Sequence, residues 1–373
     1  MSVMSEQSRR WASTMSGHLS DDPGFRTAHH PAVALRVSSG VFTREAREDE
    51  EERLLAPGAT RSAGAGTRAV EEVADPWRTC FERDRDRILH STAFRRLAGK
   101  TQVFIFPADH QRTRLTHALE VVQVATAISR ACRLNVALTE AIALGHDCGH
   151  GPGGHASEEA LSPFLPQGFD HAVWGADVTA VSLNLCAETL DGIRNHSWSR
   201  PSPATPEGEV VSLADRIAYC AHDLEDAVHA QIVTSDELPL LVAEHCGTSR
   251  GRQLDAFVTD VVTTTLSSGT VAISETMGEA LEALRRFNYE RIYLRQASID
   301  QSSAVVELLR ALVDHYVNHP AALPVGAELV PDDPDTIRAA VGYVSGMTDR
   351  FACTKAEELL GWSLPPWWES RIP

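Results

Sequence analysis

The chain of 373 residues is 43% hydrophobic and 23% charged, which is typical of a globular protein with a sizeable core and excludes a chain that is disordered throughout. Its formal net charge is −17, because 34 basic side chains stand against 51 acidic ones. This charge provides no overall attraction for nucleic acid, so we expect no strong nucleic-acid binding and expect local groups to neutralise any anionic substrate.

Seven cysteines are scattered along the sequence, and none are spaced as Cys-x-x-Cys. This pattern argues against a disulfide framework and against a structural zinc site. The sequence also contains neither an apolar run of membrane-spanning length nor an N-terminal stretch typical of a secretory signal. We therefore expect a cytoplasmic protein that makes no membrane contact.

The N-terminal part of the chain differs from the rest in composition and in hydrophobic periodicity. Residues 1–41 mix Ser, Gly, His and Pro with little periodicity, which predicts a flexible tail. Residues 43–55 predict a strongly charged helix with Thr43 as its cap, and a Pro/Gly/Ser-rich connector follows. Since no obvious linker interrupts the later sequence, we expect one helical domain over residues 42–373.

Beyond residue 75, apolar residues recur every three to four positions in most segments, which predicts an all-α fold. Examples are CFERDRDRILHSTAFRRL, THALEVVQVATAISRAC, EVVSLADRIAYCAHDLEDAVHA and SETMGEALEALRRFNYERIYL. The β candidate is TQVFIF, residues 101–106, which allows at most a short β-hairpin near residues 101–113.

The segment GHDCGHGPGGHASEE, residues 145–159, places three histidines and three carboxylates among five glycines. A helix predicted to start at Thr139 delivers His146 and Asp147 at its end. Imidazole and carboxylate groups there can reach one ion, and this donor set suits Mn, Fe, Ni, Zn or Mg. Because an isolated His-Asp pair is weak evidence for a metal site, further ligands are required.

Two other predicted helices carry ionisable side chains at helical spacing. Arg114 and His117 are three residues apart at the start of an amphipathic helix, so they face the same way. A second helix carries a stripe at offsets of zero, four, seven and eight, formed by Asp215, Tyr219, His222 and Asp223. Such a stripe faces either water or a polar site, and the pattern alone leaves both open.

The order His117, His146-Asp147 and Asp215 resembles the signature of the HD-domain metal-dependent phosphohydrolases. The surrounding segments narrow the resemblance to the deoxyguanosinetriphosphate triphosphohydrolase-like family; they are DRDRILHSTAFRRLAGKTQVF, RTRLTHALEV, GHDCGHGPGGHASEE, GFDH and DRIAYCAHDLEDA. The likeness extends from about residue 43 to at least residue 230, and no catalytic segment is recognised beyond residue 240. It implies a multi-helix HD-domain fold.

The resemblance implies an enzyme that hydrolyses deoxynucleoside triphosphates of the dGTP type to a deoxynucleoside and inorganic triphosphate. It implies a divalent metal ion as cofactor, with Mg or Mn expected and Fe, Ni or Zn as alternatives. The implied metal ligands are His117, His146, Asp147 and Asp215. A metal ion held there polarises the α-phosphate and orients the attacking water.

The resemblance also implies residue roles around that ion. His155 and Glu158 match the catalytic pair that protonates the leaving oxygen, and His150 and His171 match histidines near the α-phosphate. The implied substrate contacts are Arg114, Arg216, Tyr219, Asp223 and Gln102, with Lys100 as a nearby basic candidate. Arg95 and Arg96 are either further basic candidates or partners of Asp84 and Asp86, and we expect hydrogen-bonded wall roles for His196 and His222.

The sequence departs from the family after GFDH, where many relatives continue with Asn-x-Gln-Ser. Here the chain has Ala172, Val173, Trp174 and Gly175, which predicts a loss of polar groups beside the substrate. Two alternative functions remain open: another HD-domain nucleotide phosphohydrolase, such as a monophosphatase or a cyclic or alarmone nucleotide hydrolase, and a weakly catalytic nucleotide-binding sensor. The family further implies a homo-oligomer and a nucleotide activator.

Overall fold

The computed structural model describes residues 5–13, 17–19, 24–29, 40, 42–105, 111–324 and 329–362. The chain divides into two units, Met1–Phe42 and Thr43–Pro373. The described part of the first unit contains helix α1, Glu6–Ser13, and the antiparallel strands β1, His18–Leu19, and β2, Arg26–Thr27. The flexible tail expected over residues 1–41 falls partly outside the described residues and stays a prediction, as does the single domain over residues 42–373.

The described part of the second unit is helical, which confirms the predicted all-α fold. Its α-helices are α2 Arg44–Leu54, α3 Cys80–His90, α4 Thr92–Arg96, α5 Arg114–Ala131, α6 Val136–Gly145, α7 Ala156–Leu161, α8 His171–Trp174, α9 Ala187–Asn195, α10 Pro206–His229, α11 Leu240–His245, α12 Arg250–Ser268, α13 Glu275–Asn288, α14 Gln296–Asn318, α15 Pro334–Ser345 and α16 Asp349–Leu360.

Of two predicted helix starts, the one at Thr43 is confirmed and the one at Thr139 is wrong. Thr43 caps α2 as predicted, because its side chain accepts a hydrogen bond from the backbone N–H of Ala46. Helix α6 begins at Val136 rather than at Thr139, since the side chain of Asn135 accepts from the N–H of Leu138 at 3.2 Å and caps the helix one turn earlier. The apolar residues that follow this asparagine conceal the cap in the sequence.

The predicted β-hairpin near residues 101–113 reduces to one isolated antiparallel bridge between Thr101 and Thr113. Residues 102–105 form bends instead of the predicted strand, and residue 106 lies outside the described ranges. The side chains of Phe104 and Ile105 are buried in two different hydrophobic clusters. Their apolar pattern therefore reflects core packing rather than a strand.

Two helical layers hold the functional residues described below. Helices α5, α6 and α10 pack on one another, with α3 and α9 against α6. Helix α14 packs against α7, α15 and α16 and forms a separate apolar cluster. The glycine-rich segment between α6 and α7 connects these layers, so side chains from both can meet beside it.

The seven cysteines are all buried, and none of them forms a disulfide bond. None of the helices in the described ranges combines the length and the apolarity that crossing a bilayer requires.

Candidate active site

The predicted metal ligands converge from three helices. His117 lies on α5, His146 and Asp147 follow the end of α6, and Asp215 lies on α10. The His117 Nε2 atom is 3.0 Å from Asp215 Oδ1 and 3.8 Å from Asp147 Oδ2, and His146 Nε2 is 3.6 Å from Asp147 Oδ1 and 3.7 Å from Asp215 Oδ1. These four residues, the primary ligand set, bring two imidazoles and two carboxylates together.

The hydrogen bonds of His146 fit a metal ligand. Its Nδ1 donates to the carbonyl oxygen of Ala143 at 2.7 Å, so Nε2 carries the lone pair in the neutral ring. This Nε2 is buried and has no hydrogen-bond partner within the described part of the chain. A buried acceptor without a partner loses free energy that a bound cation restores. The nitrogen and oxygen donors of the set suit a divalent ion such as Mg or Mn, with Fe, Ni and Zn as alternatives.

Electrostatics within the primary ligand set favour ionised carboxylates. Burial alone would raise the pKa of Asp215, but the hydrogen bond with His117 and the nearby imidazoles outweigh burial and hold that pKa below its usual range. Burial opposes charge on His117, and the hydrogen bond with Asp215 together with the charge of Asp147 nevertheless raises the pKa of the imidazole. The site is therefore rich in negative charge that a cation would neutralise.

Arg114 lies at the edge of this set and is almost fully buried. Its Nη1 donates to Asp147 Oδ2 at 2.8 Å, whereas its Nε and Nη2 atoms are buried and have no hydrogen-bond partner among the described residues. The guanidinium thus has two nitrogen atoms beside the primary ligand set that can donate hydrogen bonds to phosphate oxygens. The predicted substrate role of Arg114 is consistent with this position.

The glycine turn between α6 and α7 passes close to Arg114 and to α8. Gly154 has φ of +62°, and a Cβ atom there would lie 2.6 Å from Arg114 Nη2. A Cβ at Gly149 would lie 2.0 Å from the carbonyl oxygen of His171. Glycine is needed at both positions, because any side chain would push the turn away from the site.

His155 and Glu158 lie where α7 begins, with His155 at the N-cap. The His155 side chain is 74% exposed, and its Nδ1 is 3.4 Å from Glu158 Oε2. Although burial raises the pKa of Glu158, hydrogen bonds with His155 and His171 hold it well below its usual range. The catalytic pair predicted from the sequence thus consists of an accessible imidazole at the rim and an ionised carboxylate behind it.

His150 and His171 stack on each other with ring centroids 3.7 Å apart. His150 Nε2 lies 3.1 Å from Asp147 Oδ1, and burial together with the charge of Arg114 holds the pKa of His150 well below its usual range. His171 Nδ1 donates to Glu158 Oε1 at 2.7 Å. Both predicted histidines therefore lie next to the primary ligand set and are buried.

His196 and His222, for which wall roles are expected, occupy different environments. His196 Nδ1 donates to the carbonyl oxygen of Ile193 at 2.8 Å, and its Nε2 lies 3.2 Å from His171 Nε2. Burial and the charge of neighbouring histidines lower the pKa of His196 to about 3. His222 is absent from the lining of the cavity described next, whereas His196 belongs to it.

A cavity of about 900 Å³ opens from the primary ligand set. Of the predicted substrate contacts, five line it: Gln102, Arg114, Arg216, Tyr219 and Asp223. The Gln102 Oε1 and Asp223 Oδ1 atoms are buried and lack a hydrogen-bond partner among the described residues. The stripe on α10 thus faces this cavity at Asp215, Tyr219 and Asp223, which resolves the alternative between water and a polar site.

The cavity lining also includes residues that have no predicted role, among them Trp198, Arg285 and Tyr293. The guanidinium carbon of Arg216 lies 3.5 Å from the ring centroid of Trp198. Arg285 Nε donates to the Tyr219 hydroxyl at 2.9 Å, and the Tyr293 hydroxyl donates to Asp223 Oδ2 at 2.5 Å. The aromatic and basic run RRFNYERIY was the available signal for two of them, but such a run equally suits a helix surface.

The prediction that Lys100 contacts substrate is wrong for the position that the structure gives this side chain. Lys100 is buried outside the cavity lining, and its Nζ donates to the carbonyl oxygens of His150 and Ser345. Burial lowers its pKa to about 8. Because it donates both hydrogen bonds to backbone carbonyl oxygens, the lysine stabilises the glycine turn from a position outside the cavity lining.

The contacts support neither alternative for the other basic candidates. Asp84 pairs with Arg68, and Asp86 pairs with Arg78 and Arg85, so neither pairs with Arg95 or Arg96. Arg95 and Arg96 are exposed and do not line the cavity.

The altered stretch after GFDH packs inside the protein. Ala172, Trp174 and Gly175 are buried, and none of residues 172–175 lines the cavity. Trp174 packs on Phe169 with ring centroids 5.1 Å apart. Residues 172–175 form most of α8 and the start of the next turn, so the predicted loss of polar groups beside the substrate has no counterpart in the cavity lining.

Comparisons with known proteins cover most of the chain. Residues 114–220 match the family model of the HD domain, and residues 271–358 match that of the phosphohydrolase-associated domain. The second match includes Arg285 and Tyr293, in the region where the sequence shows no catalytic segment.

Curated relatives with the printed name deoxyguanosinetriphosphate triphosphohydrolase-like protein are similar over nearly their whole length. The protein from Caldanaerobacter subterraneus subsp. tengcongensis is 41% identical over 337 residues, which is 88% of this chain and 98% of that protein. The protein from Clostridium perfringens strain 13 is 42% identical, over 76% of this chain and 87% of that protein. The protein from Desulfatibacillum aliphaticivorans is 39% identical, over 85% and 97%. The chain therefore belongs to the deoxyguanosinetriphosphate triphosphohydrolase-like family of HD-domain metal-dependent phosphohydrolases.

Proposed function

We propose that this phosphohydrolase cleaves deoxynucleoside triphosphates into a deoxynucleoside and inorganic triphosphate. The observation that carries the proposal is that the primary ligand set opens into a cavity lined by arginines and by buried polar atoms that have no partner among the described residues. A triphosphate needs both features, since it requires cations for its charge and hydrogen bonds for its oxygens. The printed names of the relatives support dGTP as the first nucleotide to test.

Arginine side chains of the cavity would neutralise the negative charge of the substrate. Arg114 offers two unused donors beside Asp147, and Arg216 has no carboxylate partner within the described ranges. Arg285 also lines the cavity and donates a hydrogen bond to the Tyr219 hydroxyl. We assign the phosphates to these cations and Tyr219, because an acidic protein can bind a polyanion only through local positive charge.

The protein groups supply proton transfer and orientation. When bound to the primary ligand set, a divalent ion supplies polarisation of the α-phosphate and orientation of the attacking water. His155 donates a proton to the leaving 5′ oxygen, and Glu158 orients that imidazole. His150 and His171 lie between this pair and Asp147, where they contact the phosphate that reacts.

The sugar end of the substrate is assigned to Asp223 and Gln102. Asp223 Oδ1 and Gln102 Oε1 are buried acceptors that lack partners among the described residues. A sugar hydroxyl or a base N–H would satisfy them, and an acceptor left unpaired would cost about 1–3 kcal/mol. The remaining side chains at this end of the cavity would contact the base of the nucleotide and set the preference among the four dNTPs.

The decisive assay is product identification. The full-length protein is incubated with Mn²⁺ or Mg²⁺ and each dNTP, singly and mixed, and the phosphate products are separated by anion-exchange chromatography. The proposal expects inorganic triphosphate. Release of pyrophosphate or orthophosphate alone would indicate another HD-domain nucleotide phosphohydrolase, and binding without any product would indicate a sensor.

Two variants separate metal binding from proton transfer. Asp147→Ala should lose bound metal, whereas His155→Ala should retain metal and nucleotide but turn over about 100-fold to 10,000-fold more slowly. Asp255→Asn changes an exposed carboxylate outside the cavity and serves as the matched control. A normal rate for His155→Ala would move the general-acid role to another histidine.

The family resemblance also leads us to propose a homo-oligomer, a nucleotide activator and a cytoplasmic location. Light scattering measures the oligomeric state, and the rate of dNTP hydrolysis with and without a second nucleotide measures the activation. A monomer whose rate does not depend on a second nucleotide would contradict both.

A further inference from the structure

Two thiols that are far apart in the sequence meet beneath a surface turn. Cys80 is the first residue of α3, and Cys186 is the N-cap residue of α9. Both are buried beside Gly66, since a Cβ atom at Gly66 would lie 3.3 Å from Cys80 Sγ and closer still to Cys186 Sγ. The two thiols share a hydrogen bond. Neither of them lines the cavity, so the candidate active site leaves this pair without a role.

One buried ion pair fixes the backbone of both cysteines. Arg68 Nη1 donates to Asp84 Oδ1 at 2.6 Å, and both side chains are almost fully buried. Arg68 Nη2 also donates to the carbonyl oxygen of Cys80 at 3.0 Å, and Asp84 Oδ2 accepts from the backbone N–H of Cys186 at 2.8 Å. Because these partners hold the main chain at both positions, the two sulfur atoms stay within reach of each other.

The two thiols differ in reactivity. The hydrogen bond with Cys186 outweighs burial, and a hydrogen bond with the backbone of Ala63 adds to it, so the pKa of Cys80 lies below its usual value. The same hydrogen bond and burial raise the pKa of Cys186. The positive end of α3 and the charge of Arg68 further favour a thiolate at Cys80. A thiolate beside a second thiol is the arrangement found in cysteines that react with peroxides.

A short turn without helical structure covers the pair. The N–H of Gly66 donates to the carbonyl oxygen of Ala63 at 2.9 Å, and Ala63 is exposed. Gly66 has φ of +79°, and a side chain there would collide with both cysteines. The glycine therefore lets the turn close over the sulfur atoms, and a molecule as small as hydrogen peroxide reaches them when this turn opens.

We propose that Cys80 and Cys186 form a redox modification site, at which hydrogen peroxide produces a reversible disulfide bond. The Cys80 thiolate attacks one peroxide oxygen, the O–O bond breaks, and a sulfenic acid forms while the departing hydroxide takes up the proton that the thiol released. The sulfur of Cys186 then attacks that of Cys80, the S–O bond breaks, and the departing hydroxide takes the Cys186 proton. The two thiols lose two electrons, the peroxide becomes two water molecules, and a dithiol reverses the reaction.

The disulfide would join two helices that support the candidate active site. Helix α3 packs on α6, which ends directly before His146, and α9 ends directly before His196 of the cavity lining. Oxidation would therefore link both supports covalently. The modification site and its test do not depend on the proposed hydrolysis of dNTPs.

Thiol counting and peptide mapping test the proposal on the full-length protein. The reduced protein is treated with hydrogen peroxide, excess peroxide is removed with catalase, and free thiols are counted and alkylated in denaturant. The seven free thiols should fall to five. A proteolytic digest should then contain the peptides of Cys80 and Cys186 joined by a disulfide bond, and dithiothreitol should restore all seven thiols.

Single substitutions test the order of attack. Cys186→Ser should retain Cys80 as a sulfenic acid that dimedone traps, whereas Cys80→Ser should keep its other six thiols. Cys132→Ser is the control, because this cysteine lies at the end of α5 and should leave the joined peptides unchanged. A dimedone adduct on Cys186 instead would overturn the assignment of Cys80 as the attacking thiol.

The wild-type result needs no substitution and therefore holds even if a serine variant fails to fold. Seven free thiols after peroxide treatment would overturn the proposal. A disulfide that joins other cysteines, or a loss of thiols without joined peptides, would overturn it as well.

Discussion

Tyr293 donates a hydrogen bond to Asp223 at 2.5 Å, and this contact joins the helix that carries Asp215 to the C-terminal half of the chain. Tyr293 ends a π-helical turn, Tyr289–Tyr293, that follows α13. Both side chains line the cavity. Part of the candidate substrate site is thus built by the phosphohydrolase-associated region, residues 271–358.

The ionisation of Asp223 should make stability depend on pH. Burial raises its pKa from 3.8 to about 7. The folded chain then binds this proton more tightly than the unfolded chain, so the free energy of unfolding falls as pH rises from about 4 to about 7. Asp223→Asn cannot ionise. Relative to the wild type, it should gain stability across that window by at most about 1.4 kcal/mol per pH unit.

Urea unfolding of both proteins at several pH values measures this difference. Asp255→Asn, an exposed change, should leave the wild-type pH profile unaltered. Parallel profiles for Asp223→Asn and the wild type would show that Asp223 is already charged in the folded protein at low pH.

Trp198 should act on substrate binding through Arg216. The indole ring lies against the guanidinium, and its Nε1–H donates to the carbonyl oxygen of Ser212 at 3.2 Å, which fixes the ring. A cation–π contact of this kind contributes about 0.5–2 kcal/mol. Trp198→Ala should therefore raise KM for a dNTP about 2-fold to 30-fold with little change in kcat, because Arg216 binds substrate and transition state alike.

Steady-state kinetics of Trp198→Ala and Trp198→Phe check this expectation, and the phenylalanine variant should recover most of the lost affinity. Arg338→Ala removes a cation–π contact with Trp174 outside the cavity and should leave KM unchanged. A fall in kcat with constant KM would instead place Trp198 in the chemical step.

The primary ligand set could be proposed from the sequence because the resemblance to the HD-domain phosphohydrolases implies its four members, and three of them also occur in short local patterns. His146 and Asp147 follow an apolar helix and precede glycines, and Asp215 starts a stripe at helical spacing. The position of one backbone segment then fixes several side chains at once. Tyr293 and Arg285 have no such local signal, since only the packing of α13 beside α10 decides whether their helix faces a cavity or water.

Lys100 illustrates the opposite error. A lysine beside polar residues is expected at a surface or at an anion, because burying an ammonium group is costly without partners. The partners here are backbone oxygens of His150 and Ser345, which are 50 and 245 residues away in the chain. No spacing rule reveals carbonyl groups at such separations, so the bracing role emerges only from the tertiary structure.

Asp349 braces the same turn from the C-terminal layer. Its Oδ1 accepts from the backbone N–H of Gly153 at 2.8 Å, and its Oδ2 accepts from the N–H and hydroxyl of Thr101 at 2.9 and 2.6 Å. The carboxylate is buried, so no water replaces it readily. It therefore fixes the glycine turn that leads to His155 relative to the segment that carries Gln102.

Asp349→Ala should lower both stability and turnover. Three donors lose a charged acceptor, and hydrogen bonds to charged groups contribute about 1.5–3 kcal/mol each, so we expect a loss of at least about 2 kcal/mol in the free energy of unfolding. Turnover should fall more than metal affinity, because the glycine turn positions His155 while the primary ligands lie on other elements. Asp349→Asn keeps one acceptor oxygen and should give an intermediate loss of both stability and turnover.

Urea midpoints, kcat and Mn²⁺ content of these variants are compared with those of Asp314→Ala, which removes an exposed carboxylate from α14 and should match the wild type. If Asp349→Ala kept a wild-type kcat despite reduced stability, the turn would hold its geometry without this carboxylate, and Lys100 would be its main support.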